Sequence, residues 1–253
     1  RAERPVQQRL SYSLTAFPDA WWPELTAADQ RLGLQLPGNV TPRMRALVAT
    51  WQAEAGSDRA LLARALAYFR EEPFVYTLQP PRVRDNPADQ FLFETRQGFC
   101  EHYATSFVLL MRLAGIPARV VVGYQGGEVN PRGGHLMVRQ AEAHAWAEVW
   151  LEGEGWTRTD PTAAVAPERV RLPIDAANSS AGAPVAFRID APGPLRTLLL
   201  EGRWLMDAVD LNWHRWVVGF DQERQTWLLR AAGLGFLQGY ALALAAVLAA
   251  GLG

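Results

Sequence analysis

The sequence predicts an α+β fold, with helices gathered first and an antiparallel sheet after them, on three observations. Between Pro42 and Ala114, apolar residues recur at helical spacing in three separate runs. From Arg119 to Asp160 the spacing changes to alternation and β-branched runs, broken by Gly-rich turns. Helical and strand segments are thus segregated along the chain instead of alternating, which argues for α+β over a parallel α/β sheet.

Residues 1–40 carry Trp21-Trp22-Pro23 and Leu36-Pro37-Gly38 without periodicity, and read as an extended arm with little regular structure. Thr41-Pro42 is an N-cap followed by proline at the first helical position. Met44, Leu47, Val48 and Trp51 then share one face until Gly56. After Ser57, a second helix places Leu61, Leu62, Ala65, Leu66 and Phe69 at helical spacing, and Pro73 ends it before the strand-like Phe74-Val75-Tyr76. A loop with Pro80-Pro81 and Pro87 follows. The run Cys100 to Ala114 aligns Cys100, Ala104, Phe107, Val108 and Met111 before Gly115 and Pro117 stop it. Strands are expected at Arg119–Tyr124, His135–Gln140, Ala143–Leu151 and Trp156–Asp160.

Four segments result. Residues 1–86 form an arm and helical pair packing on the core, and 87–166 form the core itself. Residues 167–230 combine a flexible Pro, Ala, Gly and Ser segment with a helical stretch holding Trp204, Trp213, Trp216 and Trp227, which suits either a membrane surface or aromatic core packing. Residues 231–253 are free of charge and long enough to begin a transmembrane helix, the alternative being a buried Ala- and Gly-rich helix. The Arg1-Ala2-Glu3-Arg4 start, without an initiator Met, reads as part of a longer protein.

With 25 basic and 26 acidic residues the net charge is −1, so no basic footprint for nucleic acid exists. The single cysteine forms no intramolecular disulfide and no Cys-rich zinc site, which leaves a buried packing residue or a reactive thiol. Cys100 sits where a loop meets a helix start, and the unpaired amides and positive dipole end there favour a thiolate. Four histidines compete to partner it: His102, His135, His144 and His214. Two residues along a helix, His102 points about 200° away around the axis. His214 has no acidic or cysteine neighbour at ligand spacing, and no metal site is expected.

His144 lies in a period-two run with Trp146, Glu148 and Trp150 on its face. Trp156, Arg158 and Asp160 share a face of the next strand. A two-residue turn at Gly153-Glu154 would set Asp160 opposite Ala147, on the wrong face. A three-residue loop at Glu152-Gly153-Glu154 instead pairs Trp150 with Trp156, Glu148 with Arg158 and Trp146 with Asp160. That register gives an aromatic pair and an ion pair, and brings the Asp160 carboxylate to the side of His144. Trp146 then either lines a substrate channel or packs on the Cys100 helix. Tyr124 and His135 are candidate substrate contacts, though each is also an ordinary strand residue.

Gly98-Phe99-Cys100-Glu101-His102-Tyr103-Ala104, Gly115-Ile116-Pro117-Ala118-Arg119 with Gly123-Tyr124, His144-Ala145-Trp146 and Asp160-Pro161-Thr162 resemble, in order, the signatures of the transglutaminase-like superfamily. The flanking segments resemble its bacterial membrane-anchored, periplasmic members. This resemblance implies a papain-like core with the nucleophile helix packed on the sheet, and a triad of Cys100, His144 and Asp160. It also implies glutamine carboxamide attack through a thioester, with a protein or peptide glutamine donor and a lysine amine acceptor and no cofactor. The expected site is the bacterial inner membrane, with the catalytic domain in the periplasm and a membrane contact through residues 231–253. Animal relatives supply an oxyanion-binding tryptophan upstream of the nucleophile, whereas Phe74 to Phe99 contains none, and Gln97 is a candidate substitute donor. A cysteine amidase or peptidase of the same fold, and a non-catalytic membrane-proximal scaffold, are the alternatives.

Overall fold

Local capping signals build the helical half of this computed structural model, which describes residues 12–17, 24–83, 85–167 and 193–213. Helix α1 (Ala27–Gly33) is a departure from the arm expected without regular structure. Thr26 caps it by accepting the Asp29 N–H at 3.0 Å. A Cβ on Gly33 would come within 3.0 Å of Pro117 Cβ, so glycine lets this arm lie against the turn that follows the nucleophile helix. Thr41 and Ser57 cap α2 (Pro42–Glu54) and α3 (Asp58–Glu71) through their hydroxyls. The faces buried are those the periodicity marks: Met44, Val48 and Trp51 on α2, and Leu61, Leu62, Ala65 and Phe69 on α3.

Beyond Pro73, β1 (Val75–Tyr76) runs parallel to β2 (Gln97–Gly98). The loop between them is more regular than its prolines suggest. Pro87 occupies the first turn of α4 (Pro87–Gln90), where its missing N–H costs nothing, and a π-helical turn at Phe91–Thr95 buries Phe91 and Leu92. Arg96, at φ 49°, ends it.

Helix α5 (Cys100–Leu113) is buried over a wider arc than one face, because α2 and α3 pack on one side and the sheet on the other. Tyr103, Phe107, Leu110 and Met111 are fully enclosed. The sheet follows as β3 (Ala118–Tyr124), β6 (Ala143–Leu151) and β7 (Gly155–Thr159), antiparallel in the order β3-β6-β7. Between β3 and β6 lies the ribbon of β4 (Glu128–Asn130), not anticipated from sequence, and β5 (His135–Met137), shorter than expected. Ala145, Ala147, Val149 and Leu151 turn inward, and the short α6 (Thr162–Val165) closes the core behind β7.

The β6–β7 register is the one the three-residue loop requires: Trp150 opposite Trp156, Glu148 opposite Arg158. Gly153 and Gly155 both take φ 77° to make that loop. The expected Glu148–Arg158 ion pair is corrected. Glu148 bonds Arg119, its neighbour on β3, at 2.8 Å, while Arg158 lies over the Trp146 ring at 4.1 Å. The Trp150–Trp156 pair does form, edge to face at 5.9 Å.

Among the described residues, 17, 24–129 (without 84) and 136–167 make one compact unit, which holds all of the above sheet and core. Residues 12–16, 130–135 and 193–213 make the second. In it, α7 (Gly193–Trp213) receives a hydrogen bond from Asn130 Nδ2 at the Trp204 carbonyl (2.8 Å), and Glu201 pairs with Arg132 at 2.9 Å. The rest of the Trp-rich stretch and the flexible segment lie outside the described residues.

The membrane contact expected through residues 231–253 is corrected as well. No helix among the described residues is long and apolar enough to cross a membrane, and 231–253 itself lies outside them. Ala and Gly make up 13 of those 23 residues. Side chains that small gain little on transfer from water, so a charge-free length is not by itself evidence of insertion.

Candidate active site

Strand β2 delivers the chain to the start of α5, where Cys100 is the first helical residue. Gly98 makes the approach possible. A Cβ there would lie 2.7 Å from His102 Cβ and 2.9 Å from the Phe91 ring. His102 closes the helix start: its Nδ1 accepts the Phe99 N–H at 3.4 Å and its ring meets Phe99 edge to face at 4.5 Å. Burial pushes its pKa below the usual imidazole value, which suits a neutral structural acceptor.

Cys100, His144 and Asp160 converge. His144, 8% exposed, directs Nε2 to Asp160 Oδ2 at 2.7 Å. Its ring also interacts with the Cys100 thiol, each group shifting the other's pKa. Asp160 is held in turn, since Oδ1 accepts the Thr162 N–H at 3.0 Å as the chain turns into α6. Both carboxylate oxygens therefore have fixed donors.

Burial pushes the Cys100 thiol up, but hydrogen bonds from His144 and from the Ala145 amide outweigh it, aided by the Glu101 amide, and the thiol ends below its ordinary range. Burial likewise pulls His144 down, while the Asp160 and Cys100 hydrogen bonds carry it up to about 9. A depressed thiol beside an elevated imidazole is the signature of a thiolate–imidazolium pair.

The Ala145 amide is a contributor that sequence reasoning missed. Residues of an antiparallel strand turn their backbone groups alternately to the two neighbours. Trp150 N–H bonds the Pro117 carbonyl on the β3 side, so the even positions of β6 face β3 and the odd ones face β7. Continued by two residues, the β6–β7 register would set Ala145 opposite Pro161. Pro161 instead adopts helical φ −67°, ψ −20° and its carbonyl accepts Ala164 N–H. The ladder ends there, which leaves the Ala145 N–H to help lower the Cys100 pKa. The Asp160-Pro161 dipeptide together with the predicted register held that signal.

The other candidates sit elsewhere. Glu148 is tied to Arg119. Gln97 is exposed on β2. Tyr124 donates to Gln140 Oε1 at 3.1 Å. His135 belongs to the second unit, and His214 lies outside the described residues. Trp146 packs over Gly123 and beside His144. Among the described residues no group of three His, Cys, Asp or Glu side chains is placed to hold a metal ion.

A family model described as the transglutaminase-like superfamily matches residues 46–161, a span running from α2 to the turn after Asp160. The chain carries a transglutaminase-like domain. It is 42% identical over 230 residues to a protein-glutamine gamma-glutamyltransferase of Pseudomonas aeruginosa, covering 88% of this chain and 34% of that protein. It is 33% identical over 146 residues to the uncharacterized protein YebA of Bacillus subtilis, covering 55% of this chain and 20% of that one. Its transglutaminase-like fold is similar to the crystal structure of the periplasmic domain of TgpA from P. aeruginosa. The TM-score is 0.59 at 46% identity, over 61% of this chain and 54% of that domain. The chain thus spans about a third of the length of the P. aeruginosa enzyme and a fifth of YebA.

Proposed function

We propose that this transglutaminase-like domain is a protein-glutamine γ-glutamyltransferase acting through Cys100, His144 and Asp160, with residues 87–166 as its catalytic core. The observation that carries the reading is the relay itself: His144 Nε2 lies 2.7 Å from Asp160, and the same imidazole acts on the Cys100 thiol and lowers its pKa.

In the reaction the Cys100 thiolate attacks the carboxamide carbon of a glutamine side chain, and the carbonyl π electrons move to oxygen. The Cys100 backbone N–H, in the first helical turn with no partner within the helix, is the nearest donor to that oxyanion. The His144 imidazolium gives its proton to the departing nitrogen, the C–N bond breaks, and ammonia leaves a thioester on Cys100. A lysine amine then attacks the thioester while neutral His144 takes its proton. Collapse of the second tetrahedral intermediate expels the thiolate, leaving an isopeptide and restoring the ion pair. Asp160 holds the ring in position and stabilises its charge throughout.

The substrates are accordingly a protein or peptide glutamine donor and a lysine amine. The periplasmic domain described for the similar P. aeruginosa structure supports a periplasmic setting for this one. The test is incubation with a glutamine-bearing peptide and a fluorescent primary amine, comparing the protein with Cys100→Ala. Labelled product from the unaltered protein alone is expected. Equal labelling by both would overturn the transferase reading, and ammonia release without labelling would replace it with an amidase.

A further inference from the structure

His144 poses a problem of cover. It occupies an even position of β6 like Trp146, Glu148 and Trp150, but at this end of the strand it reaches Cys100 at the start of α5, and it is only 8% exposed. The other three positions are partly exposed. Trp146 accounts for part of the difference. Its ring lies 6.2 Å from the imidazole at an interplanar angle of 22°, an offset stack. The indole is admitted there by Gly123, which stands opposite His144 across β3 and β6 and whose Cβ would come 2.8 Å from Trp146 Cη2. Arg158, lying 4.1 Å over the same indole, holds it from β7.

The geometry points to Trp146 as a positioning residue for His144: seated on Gly123 and held by Arg158, it fixes the imidazole plane and keeps water from it. This rests on the reading of the three converging residues as a catalytic triad. His144 has to serve two partners at once, Cys100 from α5 and Asp160 from the turn after β7. Rotation about the terminal imidazole torsion, which is broad and roughly two-fold, would break both bonds together. A flat ring alongside restricts that rotation. Excluding water also strengthens the charge interactions of the ring with Cys100 and Asp160. Arg158 is a charged group held over the same indole, and Asp160 and Cys100 act on the imidazole itself. Trp146 acts through the imidazole it stacks against.

The experiment is the rate of Cys100 alkylation by iodoacetamide against pH, measured on the full chain with its fold monitored by near-ultraviolet circular dichroism. The variants are Trp146→Ala, Trp146→Phe and Gly123→Val. Trp146→Ala should slow alkylation at neutral pH about tenfold and raise the pH midpoint, while Trp146→Phe restores most of the rate. Gly123→Val, which displaces the indole without altering it, should behave like Trp146→Ala. A Trp146→Ala profile matching the unaltered protein would overturn the inference, as would Trp146→Phe and Trp146→Ala variants that are slow alike. An unaltered protein whose thiol titrates at the free-cysteine value of about 8.5 would sink the triad reading itself, separating the two failures.

Discussion

Replacing Asp160 with asparagine tests the relay at its most exposed assumption, that the carboxylate's charge raises His144. The imidazole moves from 6.5 to about 9, equivalent to about 3 kcal/mol of preference for its charged form. That is the net left after burial opposes it, and the raising part is shared between Asp160 and Cys100. In some cysteine enzymes an asparagine serves this position well, but here both carboxylate oxygens accept, Oδ2 from His144 and Oδ1 from the Thr162 N–H. An asparagine has one acceptor oxygen and one amino group, so one of those two donors would face another donor. The loss therefore combines a missing charge with an unsatisfied buried group, each worth about 1–3 kcal/mol. Asp160→Asn should lower the glutamine-dependent kcat/KM about a hundredfold, with Asp160→Ala at least as severe. Iodoacetamide alkylation against pH reads the cause directly: the alkaline limit of the ion pair should move down from about 9 and the thiol's midpoint should move up. Superimposable profiles for Asp160→Asn and the unaltered protein would refute the reasoning.

Other outcomes follow from the same structure. Because the folded state raises the His144 pKa, its contribution to stability is fully present below about 6.5 and is lost as pH rises through about 9. The difference in thermal midpoint between the protein and His144→Gln should shrink across that window. Phe107→Ala, at a site with no exposed surface in the middle of α5, should cost about 3–5 kcal/mol in urea unfolding. Gly98→Ala would force His102 and Phe91 apart at the start of α5. It should destabilise by about 1–3 kcal/mol and slow Cys100 alkylation while the rest of the fold persists.

How much of this was legible in the sequence depended on whether the deciding contact was local. The caps at Thr41 and Ser57 and the faces of α2 and α3 need only neighbours along the chain, and they appear where the residues place them. The Asp160 placement was legible for the same reason. A short hairpin has few registers, and only one of them matched Trp150 to Trp156. Glu148 was misassigned because it has two arginine neighbours across strands, and the nearer competitor, Arg119, depends on the β3 register, which no short loop dictates. Arg158 was further drawn off by the Trp146 ring. The helix at Pro87 was hidden because proline marks both loops and helix starts. The charge-free length of residues 231–253 supplies only half of what membrane insertion requires, and that segment lies outside the described residues.

The central claim is that Cys100 carries the acyl group. The most direct measurement is mass spectrometry of the protein mixed with a glutamine-bearing peptide and quenched in acid before an amine is added. An adduct equal to the peptide less one ammonia, located on Cys100 and discharged by added amine, is the predicted result. No adduct on Cys100 while labelled product still accumulates would contradict it.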